Sequence, residues 1–381
     1  MKMMKILLCS HSPDNRFAGA SRIYHLLAAS LRERGHEVEV YHGEDAGITG
    51  KGLAAKLKTR FAMPRLVSAL GRKLQPERFD VVMTSSGTGA PLYRHLRKNG
   101  GPRPLMINHI HGLGVYDDLA NRSEEWIGNW PTSRMYKLFT GRAQKRWDWE
   151  GVVSADLTIV QNLRALDWVE RRLPQGREAA YIPAAVHPEL LKRSADVDES
   201  LRRDDMVVWF ASWEARKGAA YVPRAFRKLR EARPEMRLVV AGVSVPVDEI
   251  LDQFDPRDRE NVEVPGYIAF DKQVELFSRA AIILFPSVNE GFGLALIEAM
   301  AFGPAAVSSN VGFGADFIED RGNGRIVQNS SIHMARAMIE LVENPEERRR
   351  MAAKGRMLAR SLTMERMTDA YEREMEKRLP A

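Results

Sequence analysis

The stretch from Ala281 to Met300 narrows the choice of fold more than any other part of the chain. Ala281-Ile282-Ile283-Leu284-Phe285 is a short apolar run of strand type, and Pro286 stops it. A polar loop follows, Ser287-Val288-Asn289-Glu290-Gly291-Phe292-Gly293, and then an apolar helical run, Leu294 to Met300. A strand that passes into a helix through a glycine loop is a building unit of open α/β sheets. The glycines let backbone N–H groups come close to a ligand. The start of the helix adds N–H donors that have no partner inside the helix. Glu290 stands in the loop and Glu298 eight residues later, and each carboxylate accepts hydrogen bonds from hydroxyls. A ligand with many hydroxyls and little else suits such a loop, and a sugar is one.

The same alternation of strand and helix runs through most of the chain. Lys5–Ser10 reads as a buried strand, Ser21–Arg34 as a helix ended by Gly35, and Glu37–His42 as a returning strand. Asp80–Thr84, Pro91–Asn99 and Pro104–His109 repeat the pattern, and Ala155–Gln161 with Leu163–Arg172 extends it. Around Pro183–Asp205 the pattern lapses into a polar stretch, and the inter-domain linker is expected there. A second series then begins with Met206–Ala211, Val222–Arg233, Arg237–Ala241, Lys272–Arg279 and Ala281–Phe285, and the last forty residues read as charged helix. The expected architecture is α/β, with two doubly wound domains, one over 1–190 and one over 191–361.

With 381 residues the chain is long enough for two cores, and a hydrophobic content of 44% is that of an ordinary globular protein. The single cysteine, Cys9, can form no internal disulfide, which fits a reducing compartment. The apolar run Ile6–Cys9 is too short for a signal-peptide core, and no stretch has the length of a membrane span, so a cytoplasmic or peripheral protein is expected. The formal net charge is +7, unevenly spread. Between Ala46 and Pro76 lie Lys51, Lys56, Lys58, Arg60, Arg65, Arg72 and Lys73, with no Asp or Glu, among leucines at largely helical spacing. A basic amphipathic helix over 51–74 can lie on an anionic membrane surface, and it can equally be an ordinary helix covering the sheet. There is no nucleic-acid motif and no internal repeat. No Asp-x-Asp stands at a strand end to hold a metal, since Asp117-Asp118 and Asp204-Asp205 are misplaced, and no His/Cys/Asp cluster has metal spacing.

The block around Glu290 and Glu298 resembles the glutamate–seven residues–glutamate signature of the retaining glycosyltransferases of family 4, which have the two-domain GT-B fold. The resemblance continues through Gly303-Pro304-Ala305-Ala306-Val307-Ser308, Val311–Ile318 and Asn323–Val327, in the family's order. It implies two Rossmann-like domains facing across a cleft, with 362–381 crossing back to the first. It also implies transfer of a sugar from a nucleotide-diphosphate sugar, UDP- or GDP-linked, to a glycan or glycolipid acceptor in cell-envelope polysaccharide synthesis. No cofactor and no metal are implied.

By this resemblance Glu290 contacts the donor sugar or stabilises positive charge on it, and Glu298 holds the ribose. Gly291, Phe292 and Gly293 offer backbone N–H groups. Ser212-Trp213-Glu214-Ala215-Arg216-Lys217-Gly218 resembles the family's phosphate-binding segment. Lys217 and Gly218 match, the usual arginine is replaced by Ser212, and Arg216 is its substitute. Tyr267 and Ile268, after a strand-like Val262–Val264, stand where relatives hold the base, although Tyr267 reads equally well as core. Gly19 keeps one glycine of the family's Gly-Gly loop, where Ala18 replaces the other. His111 matches a histidine near the reaction centre, with His109 and His11 as rivals. Lys217, Glu290 and His111 are the expected catalytic residues. A GT-B nucleotide-sugar epimerase and a non-catalytic sugar-nucleotide-binding protein remain as alternative readings.

Overall fold

A computed structural model describes residues 3–16, 19–47, 53–99 and 102–379; for residues 20 and 53–62 it describes the backbone alone. The chain divides into two compact units, Met1–Asp118 with Thr132–Ala184 and Met364–Ala381, and Leu119–Pro131 with Ala185–Thr363.

In the first unit six strands are β1 (Lys5–Cys9), β2 (Glu37–Tyr41), β3 (Val81–Ser85), β4 (Leu105–Ile110), β5 (Leu157–Val160) and β6 (Glu178–Tyr181). They form one sheet in the order β2-β1-β3-β4-β5-β6, and every pairing is parallel. The sheet core, with Leu7, Val82 and Met106, takes in Met63 and Val67 from helix Leu53–Lys73, and Leu66, Leu70 and Leu74 pack against it. The leucines in the described half of this helix therefore turn inward, while Arg65, Arg72 and Lys73 are exposed. Lys51 lies outside the described residues, as do the side chains of Lys56, Lys58 and Arg60. Helix Met364–Glu376 belongs to this unit. Its Tyr371 hydroxyl lies 2.9 Å from His109 Nε2, and its Glu372 meets His36 at 2.9 Å and Arg34.

In the second unit the strands are β7 (Arg203–Phe210), β8 (Arg237–Ala241), β9 (Val262–Gly266), β10 (Ala280–Phe285), β11 (Ala305–Ser309) and β12 (Arg325–Val327). Their order is β12-β11-β10-β7-β8-β9, again all parallel. Both sheets are doubly wound. The direction of winding reverses between β1 and β3 in one sheet and between β7 and β10 in the other, and ligands of such sheets bind at this switch point, beyond the strands' carboxyl ends.

Elements that the sequence did not suggest include three between residues 111 and 181. Helices Gly114–Trp126 and Gly141–Ser154 arise in a stretch assigned no structure, and β6 is an edge strand of sequence Glu-Ala-Ala-Tyr, with little of the β-branched content that marks strands. Segment Leu119–Pro131 packs with the second unit, where Glu124 Oε1 accepts the Tyr221 hydroxyl at 2.7 Å. Among the described residues no helix is long and apolar enough to cross a membrane.

Candidate active site

The loops after β7 and β10 meet at the switch point of the second sheet, and their backbones lock together. Val288 N–H donates to the Arg216 carbonyl at 2.8 Å. Gly218 has φ +72°, and a Cβ there would stand 2.0 Å from the Pro286 carbonyl oxygen, so glycine is required on both counts. On the other side the loop is held by Asn329 Nδ2, which donates to the Pro286 carbonyl at 2.8 Å, and by Phe313 N–H, which donates to the Phe292 carbonyl at 2.6 Å.

This frame brings Lys217 and Glu290 together. Lys217 Nζ donates to Glu290 Oε1 at 2.6 Å, and the Ser287 hydroxyl donates to the same oxygen at 2.7 Å. Glu290 is 7% exposed. Burial alone would push its carboxyl up, but Lys217, Arg216 and the bonds from Lys217 and Ser287 outweigh it and hold the group below its ordinary value. Glu290 is thus an anion at neutral pH, held in a largely desolvated loop where its charge acts strongly. Lys217 uses one of its three N–H donors on Glu290, which leaves donors for an anionic ligand. Arg216 is half-buried, with its Nε 3.5 Å from Glu214 Oε2, and the Ser212 hydroxyl also donates to Glu214. Two cations with a buried carboxylate at a sheet switch point can hold a diphosphate on one side and polyhydroxylated matter on the other.

Helix Leu294–Phe302 starts from Gly293 at φ +115°. Glu298 lies on its buried side, 2% exposed, and Gln273 Nε2 donates to its Oε2 at 3.4 Å. A solvated Glu298 is thereby excluded. Phe292 is buried against Phe313 and Phe317, so Gly291, Phe292 and Gly293 contribute backbone rather than side chains to the loop. Tyr267, just past β9, is 69% exposed, so the core alternative does not hold for it. Ile268 is half-buried in the connection to helix Phe270–Arg279, the helix that carries Gln273.

Gly19 and His111 belong to the first unit. Gly19 opens helix Gly19–Glu33 with φ +55°, and no neighbour among the described residues would obstruct a Cβ there. Residues Phe17 and Ala18 of the same loop lie outside the described ones. His111 follows β4, its ring centroid 4.0 Å from that of His109 and 5.5 Å from that of Tyr24. Burial, then the neighbouring His109 and His11, keep His111 well below the ordinary imidazole range, so it is neutral at pH 7. His109 is fully buried beside Tyr371, whereas His111 is partly exposed. His11 Nδ1 lies 2.6 Å from Ser85 Oγ, at the switch point of the first sheet. Cys9 is buried and its thiol is pushed up to about 12 by burial and Asp45, so it is no nucleophile.

Sequence reasoning missed Ser287, Gln273 and Asn329. Ser287 was within reach, three residues before Glu290. Nothing local marks Gln273 or Asn329, whose roles arise only when separate elements pack. It also missed a gathering of Asp14, His25 and His42 in the first unit, since these residues are far apart along the chain.

Two family models match the chain, one described as Glycosyltransferase Family 4 over residues 17–190 and one as Glycosyl transferases group 1 over residues 195–357. Among curated proteins, the chain is 27% identical to a phosphatidyl-myo-inositol mannosyltransferase of Mycolicibacterium smegmatis, over 90% of this chain and 85% of the relative. It is 24% identical to an alpha-D-kanosaminyltransferase of Streptomyces kanamyceticus, over 69% of this chain and 71% of the relative. Among solved structures, a sucrose-phosphate synthase from Thermosynechococcus elongatus superposes with a TM-score of 0.75 at 16% identity, covering 98% of each chain. Anabaena HepE in complex with UDP and glucose gives a TM-score of 0.65 at 15% identity, covering 98% of this chain and 99% of that one. At these identities the structural likeness speaks for the fold.

Proposed function

The chain belongs to glycosyltransferase family 4, of GT-B architecture, and on that premise we propose that it is a retaining enzyme that moves a sugar from a UDP- or GDP-linked donor to a glycan or glycolipid acceptor in cell-envelope polysaccharide synthesis. The reading rests above all on the Lys217–Glu290 pair, 2.6 Å apart at the switch point of the second sheet. We assign the donor to the domain over 191–361 and the acceptor to the domain over 1–190 with 362–381.

In this reading Arg216 and Lys217 neutralise the diphosphate as the glycosidic bond breaks. Backbone N–H groups of Gly291, Phe292 and Gly293 bind the sugar, and Glu298 takes the ribose hydroxyls. Glu290 is the fixed negative charge beside the anomeric carbon, where positive charge grows in the transition state. Tyr267 and Ile268 border the base, and Gly19 lets its loop approach the phosphates. His111, neutral and with two ring nitrogens, serves as an uncharged hydrogen-bond partner on the acceptor side. The donor likeness is drawn from HepE, solved with UDP, and the lipid-linked acceptor from the mannosyltransferase relative.

The test is transfer itself. Incubation with UDP- and GDP-sugars and a mixed glycan and glycolipid pool is expected to give a product whose anomeric configuration, read by NMR, matches that of the donor. Inversion would refute the retaining mechanism, sugar isomerisation without transfer would mark an epimerase, and thermal stabilisation without turnover a binding protein. With Arg216 and Lys217 in place of a metal, turnover is expected to be unchanged by Mg²⁺ or Mn²⁺. An increase on adding either ion to chelator-treated enzyme would overturn the metal-free reading.

We also propose that the enzyme is cytoplasmic and meets the inner membrane surface through the basic region 51–74. Since the described leucines of that helix pack inward, the contact is electrostatic. Changing exposed Arg65, Arg72 and Lys73 to Glu is expected to weaken co-sedimentation with anionic vesicles, each charge near the surface contributing about 1 kcal/mol. Salt should imitate the substitutions, because exposed charges are screened over about 10 Å at ~0.1 M. No sedimentation of the unaltered protein at low salt would refute membrane contact.

A further inference from the structure

In the first unit, three side chains converge that the glycosyl-transfer reading does not use. Asp14 lies in the connection after β1, His25 on helix Gly19–Glu33, and His42 just past β2. Their ligand-capable atoms all lie within 4.8 Å of one another. His25 Nε2 stands 2.6 Å from Asp14 Oδ1, and His42 Nε2 stands 3.8 Å from the same oxygen. The two imidazoles stack with centroids 4.6 Å apart, and the Nε2 atom of each lies near the same Asp14 carboxylate oxygen.

An ordinary ion pair accounts for half of this. Asp14 and His25 satisfy each other, but His42 does not take part. At 3.8 Å its Nε2 is beyond hydrogen-bond reach of Asp14, and this buried atom has no hydrogen-bond partner among the described residues, although the residue is only 4% exposed. Its other nitrogen, Nδ1, lies 3.3 Å from Ser21 Oγ, which accepts the Asn15 N–H at 3.1 Å. In the tautomer that donates from Nδ1 to Ser21, the Nε2 lone pair faces Asp14. Such a fixed ring, with its far nitrogen hydrogen-bonded, is how metal-ligating histidines are held.

We propose that Asp14, His25 and His42 form a binding site for a divalent cation of the zinc class, with solvent completing the coordination. Bonds of about 2.0–2.2 Å in a tetrahedron put ligand atoms roughly 3.3 Å apart. The Asp14–His25 approach would open toward that value and the Asp14–His42 approach would close toward it, each by less than about 1 Å. Two imidazoles with one carboxylate favour zinc, cobalt or nickel over magnesium or calcium. Glu44 and Asp45 add negative charge, since Glu44 Oε2 accepts the Asp14 N–H at 2.9 Å and Asp45 Oδ2 accepts the His42 N–H at 2.8 Å. The bound ion would tie the connection after β1 to the following helix and to the end of β2.

The experiment uses the untagged full-length chain, stripped with a chelator and dialysed. Titration with Zn²⁺ is expected to reach one ion per chain and to raise Tm by about 5 °C at saturation, while Mg²⁺ leaves Tm unmoved. Co²⁺ is expected to give visible d–d bands that Zn²⁺ displaces. Asp14→Asn, at an exposed position, and His25→Gln are each expected to weaken Zn²⁺ binding roughly tenfold or more while the metal-free Tm stays within about 2 °C. Because neither substitution empties buried space, both keep the test open even if a His42 variant fails to fold. Zn²⁺ that leaves Tm unmoved, or binds the Asp14→Asn/His25→Gln double variant as tightly as the unaltered chain, would overturn the proposal.

Discussion

Replacing Glu290 by Gln is expected to lower kcat by roughly 10- to 1,000-fold, the range for loss of one electrostatic contact in a transition state. The substitution keeps the size of the side chain, and the amide oxygen can still accept from Lys217 and Ser287, which both donate to Oε1 in the carboxylate. The loop should therefore keep its shape and lose only its negative charge. Nucleotide binding is expected to stay within about threefold, because Lys217 loses a competing anion rather than gaining one. A fall in kcat with little change in affinity marks a contact made in the transition state alone. Turnover close to that of the unaltered enzyme would remove Glu290 from the mechanism.

The second large effect is on stability. Lys217→Met leaves the Glu290 carboxylate buried without its nearest cation, and breaking a buried pair from one side costs about 3–5 kcal/mol. The deficit is expected to depend on pH. In the unaltered chain the Glu290 carboxyl is depressed, so the pair stabilises the fold above the ordinary carboxylate pKa, and that contribution is lost as pH falls through the lower folded value. Without Lys217 two of the influences that lower the carboxyl are gone, and burial, the largest influence, pulls it upward. A raised group destabilises the fold most once pH exceeds its folded pKa. The gap between the two proteins should thus be widest at neutral pH and narrow toward about pH 4. Urea unfolding at several pH values reads it directly. Adding Glu290→Gln to Lys217→Met should recover most of the loss, since the orphaned charge is then gone. A pH-independent deficit that the double variant shares would mean that the lysine stem, and not the charge pair, matters.

Much of the second sheet was legible because its signals are contiguous. Ala281–Phe285, the Glu290 loop and the helix of Glu298 form one unbroken stretch, and β7 leads straight into Lys217. Arg216 and Lys217 drew notice as cations before a glycine, and the structure adds the reason for Gly218, whose Cβ would strike Pro286. What could not be read were partners supplied from elsewhere. Gln273 reaches Glu298 from another helix, and Asn329 braces the loop from beyond β12. Strand β6 escaped because two alanines and a glutamate carry no strand signature, and its place comes from pairing with β5. Asp14, His25 and His42 meet because β1 and β2 are parallel neighbours, which puts the ends of both strands on one side of the sheet. Spacing along the chain holds no trace of that.

The threading of the chain between its two units has a consequence for dissection. The backbone passes from one unit to the other after Asp118, Pro131, Ala184 and Thr363, so no single scission separates them into complete polypeptides. A fragment ending at Ala184 would keep Glu124 but lose the Tyr221 that donates to it. It would also lack helix Met364–Glu376, stripping His36 of Glu372 and His109 of Tyr371. The complementary fragment would carry that helix with its docking partners missing. The two units of this protein are accordingly not interchangeable cassettes, and a chimera with a relative would have to exchange three separate stretches of sequence to transplant the first unit intact and two to transplant the second.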